Sequence, residues 1–519
     1  MKKTMSSDKP TRSSAGDMLF GMGSKLLYAA TRVGLPPLAL AHMTLADYGL
    51  WATCFVLVGY VGMAASGFTL VYLRTTAQHH AGGDTPAIGR LLSTGILAMG
   101  TLALSLLAAL WLGLPWLLDL FNVEPGQRKL ASDLWLGAVA VFLADMSLGA
   151  FANVLHAVGR LRNEQQVWVV AFMLEALLIV AFLSAGWGVR GLLAAFAGRY
   201  VFSAAANAWL AYRALPGLRL SWRNFDRSLL RLFFGYGAGM QVSGLIASAL
   251  HSADRMLASA LIGPQATALV DLAAKLPVTA GSVTSSASGV AVSAAARHDA
   301  HGQAGALRSV YLDATRITVA SLALTMPFLA CFAPALSMAW LGHTEAGASV
   351  VPLMTMFAVG MHLHMLTGPA NAVSRGRGKL GADFTYHGLR IVALTVTVGL
   401  WYRFADASLP GLALAIAGAQ CLAASSFLAW SHVRLNGAWS GLFSGVAAPT
   451  LAAYAVGLGL RALPIPVGDG RPTALLALAV LVALWVPLMV AVLAGLLMTA
   501  AERQAALHRL RNPLSWRRT

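Results

Sequence analysis

Six basic side chains fall inside long apolar segments of the chain, where a charge is expensive. They are Lys25, Arg32, Arg199, Lys275, Arg316 and Arg390. A cation in a membrane-spanning helix needs a carboxylate partner or a wet cavity, and it usually marks a functional site. Arginine also binds phosphate oxygens in a bidentate geometry. The pattern therefore favours an anionic ligand over a cationic one.

Lys25 and Arg32 lie in the first apolar run. Their seven-residue spacing places both side chains on one helical face, ~10 Å apart along the axis. Two interpretations of Lys25 stay open, a cavity cation or a side chain that reaches the membrane surface. Arg32 is deeper, which favours a functional role. The Pro36–Pro37 pair predicts a kink or break before a polar turn at 44–49.

Asp145, Glu175 and Arg199 fall near the middle of the fourth, fifth and sixth predicted spans. The short loop between the last two spans predicts a buried ion pair of Glu175 with Arg199. The alternative is ion coupling through a buried carboxylate, for which Asp145 is the better candidate. Lys275 lies four residues after Asp271, a helical ion-pair spacing, and the alternative is that it lines a cavity.

The composition predicts an all-α polytopic membrane protein. Of the 519 residues, 58% are hydrophobic and 11% are charged, whereas soluble domains carry about a quarter charged residues. The net charge of +17 is explained by basic cytoplasmic loops, so we expect no nucleic-acid partner. The three cysteines lie far apart, and His362 and His364 point to different helical faces. We therefore predict neither a metal site nor a cofactor.

About fourteen apolar runs are long enough to cross a bilayer. We place them near 18–40, 49–72, 91–114, 134–157, 166–186, 188–212, 232–253, 266–293, 311–335, 350–373, 384–402, 410–431, 441–461 and 474–499. Lys and Arg concentrate in both tails and in every second loop, so both termini are predicted to be cytoplasmic.

The segments 38–51 and 257–271 echo each other, each with a helix end, a short turn and a small-residue-rich helix. The echo predicts two six-helix bundles, related as parallel repeats, plus two C-terminal helices. Chance likeness between Ala- and Leu-rich helices is the alternative. The predicted parts are a tail (1–17), the first bundle (18–212), a basic cytoplasmic linker (213–231), the second bundle (232–431), two additional helices (441–499) and a basic cytoplasmic tail (500–519).

Two motifs carry a family resemblance. Gly21-x-Gly23-x-Lys25 followed by Leu-Ala-Asp-Tyr-Gly-Leu-Trp at 45–51 resembles the signature of bacterial polysaccharide and O-antigen flippases. These belong to the multidrug/oligosaccharidyl-lipid/polysaccharide exporter superfamily. The segments 234–241 and 252–264 are similar to the corresponding part of the second half. The Tyr and Gly expected after the second turn are replaced at 268–270.

The resemblance implies two bundles around a central cavity and transport by alternating access. The implied substrate is an undecaprenyl-diphosphate-linked glycan moved to the outer leaflet of the bacterial inner membrane, with Lys25, Arg32 and Lys275 as cavity cations for its pyrophosphate. A monomer that works beside a polysaccharide polymerase and glycosyltransferases is expected.

Two other functions are compatible with parts of this sequence pattern. A cation-coupled multidrug or metabolite antiporter would share the fold, but cationic drugs favour carboxylates. A membrane glycosyltransferase or polymerase usually has large outer loops, and the longest one here, at 115–133, is short. Gly23-Ser24-Lys25 lacks the upstream glycine of a phosphate-binding loop, so we expect no ATPase and no enzyme.

Overall fold

The computed structural model describes residues 31–63, 66–235, 238–405, 408–436, 439–464 and 470–511. Throughout these ranges the chain forms helices and connecting turns, without a β-strand. Nine of the described helical segments are long and apolar enough to cross a membrane. The predicted all-α polytopic fold is confirmed.

The chain divides into two compact units, Met1–Ala268 and Leu269–Thr519. The helices of unit 1 are α1 (31–40), α2 (Leu45–Met63), α3 (Ser66–Ala81), α4 (Thr85–Leu120), α5 (Arg128–Leu148), α6 (Ala150–Ala157), α7 (Leu161–Ser184), α8 (Gly188–Ala214), α9 (Arg227–Gly235) and α10 (Ala238–Leu261). Helix α11 (Pro264–Ala300) continues from unit 1 into unit 2.

The core of unit 1 joins α2, α5 and α8 through large buried side chains. Trp135 of α5 is fully buried, and its indole Nε1 donates to the backbone oxygen of Leu50 in α2 over 3.2 Å. The ring of Trp51 meets the ring of Phe196 edge-on, with centroids 5.9 Å apart. These contacts hold α5 and α8, which carry Asp145 and Arg199, against α2.

Unit 2 contains α12 to α21. Their bounds are α12 (Ala304–Cys331), α13 (Ala333–Leu341), α14 (Glu345–Leu366), α15 (Gly368–Gly376), α16 (Gly381–Phe404), α17 (Leu409–Asn436), α18 (Trp439–Leu442), α19 (Ala448–Arg461), α20 (Arg471–Leu497) and α21 (Ala500–Arg511). Trp485 of α20 donates to the Leu324 backbone oxygen over 2.8 Å, so the additional helices pack against α12.

The described part of each predicted apolar run is mostly helical; residues 18–30, 64–65 and 236–237 of these runs lie outside the described residues. Of the predicted kink or break at Pro36–Pro37, the break is wrong, because residues 31–40 remain helical through both prolines; a kink there stays a prediction. The division between units falls inside α11 because α10 packs against α2 in unit 1. The boundaries proposed from the sequence at 212 and 232 remain predictions.

Candidate functional site

The side chain of Thr44, in the turn after α1, caps the start of α2. Thr44 accepts a hydrogen bond from the backbone nitrogen of Asp47 (3.1 Å), and its hydroxyl donates to the Asp47 carboxylate (2.8 Å). The first of these bonds satisfies one of the backbone donors that a helix start leaves without partners, and the second holds the Thr44 side chain in place. The polar turn predicted from the sequence thus fixes where α2 starts.

Gly49, in the motif at 45–51, lies where the backbone of α2 comes close to the backbone at the start of α11. A Cβ atom at Gly49 would lie 1.9 Å from the carbonyl oxygen of Pro264, the first residue of α11. The preceding residue, Gly263, lies in the turn between α10 and α11 and has φ +130°, which only glycine adopts readily. The two segments that echo each other in the sequence therefore touch where α2 and α11 begin.

A charge cluster occupies the interior of unit 1. Arg199 Nε lies 3.1 Å from Glu175 Oε2, and Arg32 Nη2 lies 3.6 Å from the same oxygen. The side chains of Glu175 and Arg199 are only 4% and 9% exposed, whereas that of Arg32 is 21% exposed. The Arg199 Nε–Glu175 contact is short enough for an ion pair, but the N–H of Nε does not point at the carboxylate, so it is not a hydrogen bond. Three helices, α1, α7 and α8, thus share one carboxylate.

Aromatic rings surround both guanidinium groups. The Arg199 guanidinium carbon lies 3.9 Å from the centroid of the Tyr200 ring and 4.5 Å from that of Phe172. The Arg32 guanidinium carbon lies 5.6 Å from the Phe172 centroid and 5.7 Å from that of Phe55. Cation–π attraction partly replaces the hydration that these charges lose on burial.

Asp145 lies on α5, half-buried and within electrostatic range of Arg199. It lies one helical turn before Gly149, where α5 ends and α6 begins. A Cβ at Gly149 would lie 2.9 Å from the Asp145 carbonyl oxygen. The candidate coupling carboxylate therefore stands beside the charge cluster and next to a helix junction.

The arrangement allows Arg32 to leave Glu175 for another anion without leaving a buried charge unpaired. Glu175 can remain paired with the deeper Arg199 while Arg32 contacts an anion, so the cost of an unpaired buried carboxylate is avoided. With Asp145 ionised, the two arginines and two carboxylates balance. Protonation of Asp145 would leave one excess positive charge, which would favour an anionic ligand.

The other predicted site residues are distributed differently. Lys25 lies outside the described residues. Lys275 belongs to unit 2, where its Nζ lies 2.6 Å from the carboxylate of Asp271 one turn earlier. Their roles as pyrophosphate-binding cations remain predictions.

Five of the six cations in apolar segments belong to the described residues, and four of these five have an identified carboxylate contact. These four are Arg32, Arg199, Lys275 and Arg316. The charge of these four cations is therefore compensated locally by carboxylates. Among these four, Arg32 has the longest contact with its carboxylate, at 3.6 Å.

The sequence did not reveal the partner of Arg316. Asp313, three residues earlier on the same helix, is the nearer acid in the sequence, but the guanidinium forms a bidentate contact with Glu502 of α21, with Nη1 2.9 Å from Oε1. Hydrogen bonding by Arg316, followed by that of the Thr499 backbone, lowers the pKa of Glu502 to about 2. In the sequence, the three-residue spacing of Thr499 and Glu502 indicates a cap at the start of α21. It is the one local sign that a helix begins there.

The two histidines of the His-x-His segment point in different directions. The ring of His362 lies 5.6 Å from that of Tyr454, and the ring of His364 lies 5.6 Å from that of Tyr386. Within the described ranges, no group of three or more His, Cys, Asp or Glu side chains is arranged to hold a metal ion.

Comparison with solved structures identifies the fold. An inward-facing multidrug resistance transporter of the MATE family, in the MOP superfamily, matches 80% of this chain and 95% of its own, with TM-score 0.64 and 17% identity. The lipid II flippase MurJ in an inward closed conformation matches 93% of this chain and 100% of its own, with TM-score 0.67 and 11% identity. The chain has the fold of these transporters.

A third match is a MOP superfamily transporter from Pyrococcus furiosus, described as having a binding pocket of reverse polarity. It has TM-score 0.51 and 17% identity, and the match covers 81% of this chain and 94% of that one. The sequence matches no protein-family model and no curated protein. The likeness shows the fold, and membership of the exporter superfamily and of the polysaccharide flippase family within it remain predictions.

Proposed function

We propose that the protein moves an undecaprenyl-diphosphate-linked oligosaccharide from the cytoplasmic to the outer leaflet by alternating access. The supporting observation is the arrangement of Arg32, Glu175 and Arg199. Arg32 is the more exposed guanidinium, and Glu175 keeps a closer cation when Arg32 contacts a phosphate. The likeness to a lipid II flippase supports the same class of substrate.

Transport of a lipid diphosphate requires compensation of its charge within the low-dielectric part of the membrane. A guanidinium offers several N–H donors in a plane, which suits a phosphate group better than a single ammonium does. In this proposal Arg32 receives the diphosphate, together with Lys25 and Lys275. Asp145 and Glu175 set the charge of the site.

The proposal places the protein in the bacterial inner membrane, as a monomer with both termini in the cytoplasm. The product would be delivered to a polysaccharide polymerase, and glycosyltransferases would supply the substrate. The lipid bilayer is the working environment of every step.

A cation-coupled multidrug or metabolite antiporter is the second candidate. Asp145 and Glu175 favour it, because buried carboxylates can bind protons or cationic drugs, and one of the matched structures is a multidrug transporter. Arg32 and Arg199 in the same cluster oppose it, because they repel a cationic ligand.

The two candidates can be separated in reconstituted vesicles containing the purified full-length chain. One set receives a fluorescent undecaprenyl-diphosphate oligosaccharide and the other a cationic dye under a proton or sodium gradient. We expect translocation of the lipid-linked oligosaccharide and no gradient-driven movement of the dye. Dye transport without oligosaccharide translocation would replace the proposed function with the antiporter.

A further inference from the structure

The segment joining the two predicted bundles is docked on unit 1. We call residues 213–231 the strap. A Cβ at Gly89 of α4 would lie 2.8 Å from the Arg219 backbone oxygen. The Ser221 nitrogen donates to Ser93 Oγ over 3.2 Å, and the Asp226 nitrogen donates to Thr94 Oγ1 over 2.8 Å. A flexible tether would not need backbone contacts to one helix at three places.

The apolar side chains at both ends of the strap are already covered by unit 1. Leu215 and Leu218 are buried, and Leu229 and Leu230 pack against the same core cluster. Just beyond the strap, Phe233 of α9 is fully buried against the ring of Tyr72, with centroids 5.3 Å apart. The packing of α9 therefore leaves its polar face outward.

That outward surface is strongly basic. All five arginines of the strap are exposed: Arg213, Arg219, Arg223, Arg227 and Arg231. Among the described residues none of the five forms an ion pair with a carboxylate. The strap contains one acid, Asp226, whose carboxylate caps α9 by accepting from Ser228 N (2.9 Å) and Ser228 Oγ (2.6 Å). These bonds also lower the pKa of Asp226.

Exposed aromatic rings accompany these arginines. Trp222 is 73% exposed and lies beside Arg223, whose guanidinium carbon is 5.3 Å from the ring centroid. Phe225 is also exposed, and Arg213 lies 4.7 Å from the exposed ring of Trp209 on α8. Tryptophan and basic side chains together are typical of the boundary between lipid and water.

The length of α4 places the strap at this boundary. The helix has 36 residues, so it is ~54 Å long, whereas the hydrocarbon core is ~30 Å thick. The strap contacts α4 at Gly89, Ser93 and Thr94, on both sides of the exposed Arg90. A charged side chain marks the part of α4 that leaves the hydrocarbon, so the strap lies level with the headgroups.

We propose that the strap is a binding surface for the anionic phospholipid headgroups of the cytoplasmic leaflet. Its five arginines contact headgroup phosphates, and Trp222 and Phe225 enter the interfacial layer. An acidic protein partner is disfavoured because it would leave these aromatic rings without a matching environment. The proposal concerns resident lipid and is independent of the transported substrate.

The test uses the purified full-length chain in detergent and a short-chain, water-soluble phosphatidylglycerol as the probe. Binding is measured by calorimetry, with short-chain phosphatidylcholine, inorganic pyrophosphate and an oligoglutamate peptide as parallel ligands. The variant is Arg223→Gln/Arg227→Gln. The matched control, Arg160→Gln/Arg162→Gln, removes two exposed arginines from another predicted cytoplasmic loop.

We expect phosphatidylglycerol to bind more tightly than phosphatidylcholine, and its affinity to fall about fivefold for each strap arginine removed. The control should keep wild-type affinity, and both variants should melt like the wild type without lipid because the altered side chains are exposed. Equal affinity for the two lipids, or equal losses in both variants, would overturn the proposal. The proposal would also be overturned if pyrophosphate or oligoglutamate bound as tightly as phosphatidylglycerol, or more tightly, and lost affinity in the strap variant. The surface would then bind that ligand and not lipid.

Discussion

At the level of single residues, Glu175 explains how two arginines can be held inside unit 1. The carboxylate lies between Arg199 and Arg32 and is itself almost completely buried. The sequence indicated the proximity of Glu175 to Arg199, because a short loop makes their helices neighbours. It did not indicate that Arg32 would join them, since α1 and α7 are distant in the chain and only tertiary packing brings them together.

Replacing Glu175 by glutamine should therefore destabilise the protein strongly. The change leaves Arg32 and Arg199 close to each other without their shared carboxylate, and breaking a buried ion pair by removing one partner costs about 3–5 kcal/mol. The measurement is the free energy of unfolding in mixed micelles.

The matched control for this change is Asp133→Asn. Asp133 pairs with Arg190 over 3.3 Å, but both side chains are at least half exposed, so the expected loss is roughly 0–1 kcal/mol. If Glu175→Gln costs no more than this control, the buried cluster does not stabilise unit 1.

At the level of elements, the contact between Gly49 and Pro264 fixes the start of α2 against the start of α11. Gly49→Ala should cost about 1–3 kcal/mol of unfolding free energy, because the added Cβ overlaps a backbone carbonyl that no rotamer change can move. The control Gly34→Ala adds a methyl group where nothing lies within 4 Å. It should be neutral or up to about 1 kcal/mol stabilising. Equal effects of the two substitutions would contradict this account of the motif.

The attachment of α21 to α12 should depend on pH. The pKa of Glu502 is lowered to about 2 in the folded protein, with its hydrogen bond from Arg316 as the main cause. A lowered pKa means that the stabilisation is fully present above the unfolded value, near 4.3, and is lost as the pH falls toward 2. Glu502→Gln should reproduce the acid state at neutral pH. Protease cleavage within α21 should rise in this variant, and unchanged cleavage would show that the ion pair does not hold the helix.

The sequence was most informative about elements that depend on local composition. Apolar runs longer than the bilayer thickness coincide with helices, because burial of backbone polar groups in lipid leaves few alternatives. The continuation of α1 through Pro36 and Pro37 was missed. The Arg316–Glu502 contact was missed because its partners lie at opposite ends of unit 2 in the sequence, and helical periodicity offered Asp313 as the nearer acid.

At the level of the whole molecule, the predicted orientation is open to a direct test. Reporter fusions at Gly378 should indicate the cytoplasm, because the neighbouring loop is basic, and fusions at Gly468 should indicate the opposite side. Gly468 lies outside the described residues, so the test rests on the sequence alone there. The reverse result would overturn the predicted number of spans or their orientation.

The central claim is that Arg32 receives the diphosphate of a lipid-linked oligosaccharide. The most direct measurement is the rate at which a fluorescent undecaprenyl-diphosphate oligosaccharide crosses the membrane of vesicles reconstituted with equal amounts of each variant. Arg32→Ala should slow the rate about ten- to hundredfold, the loss expected for a hydrogen bond to a charged group. Arg32→Lys should retain part of it, and Arg190→Ala, an exposed control, should match the wild type. Wild-type translocation by Arg32→Ala would contradict the claim.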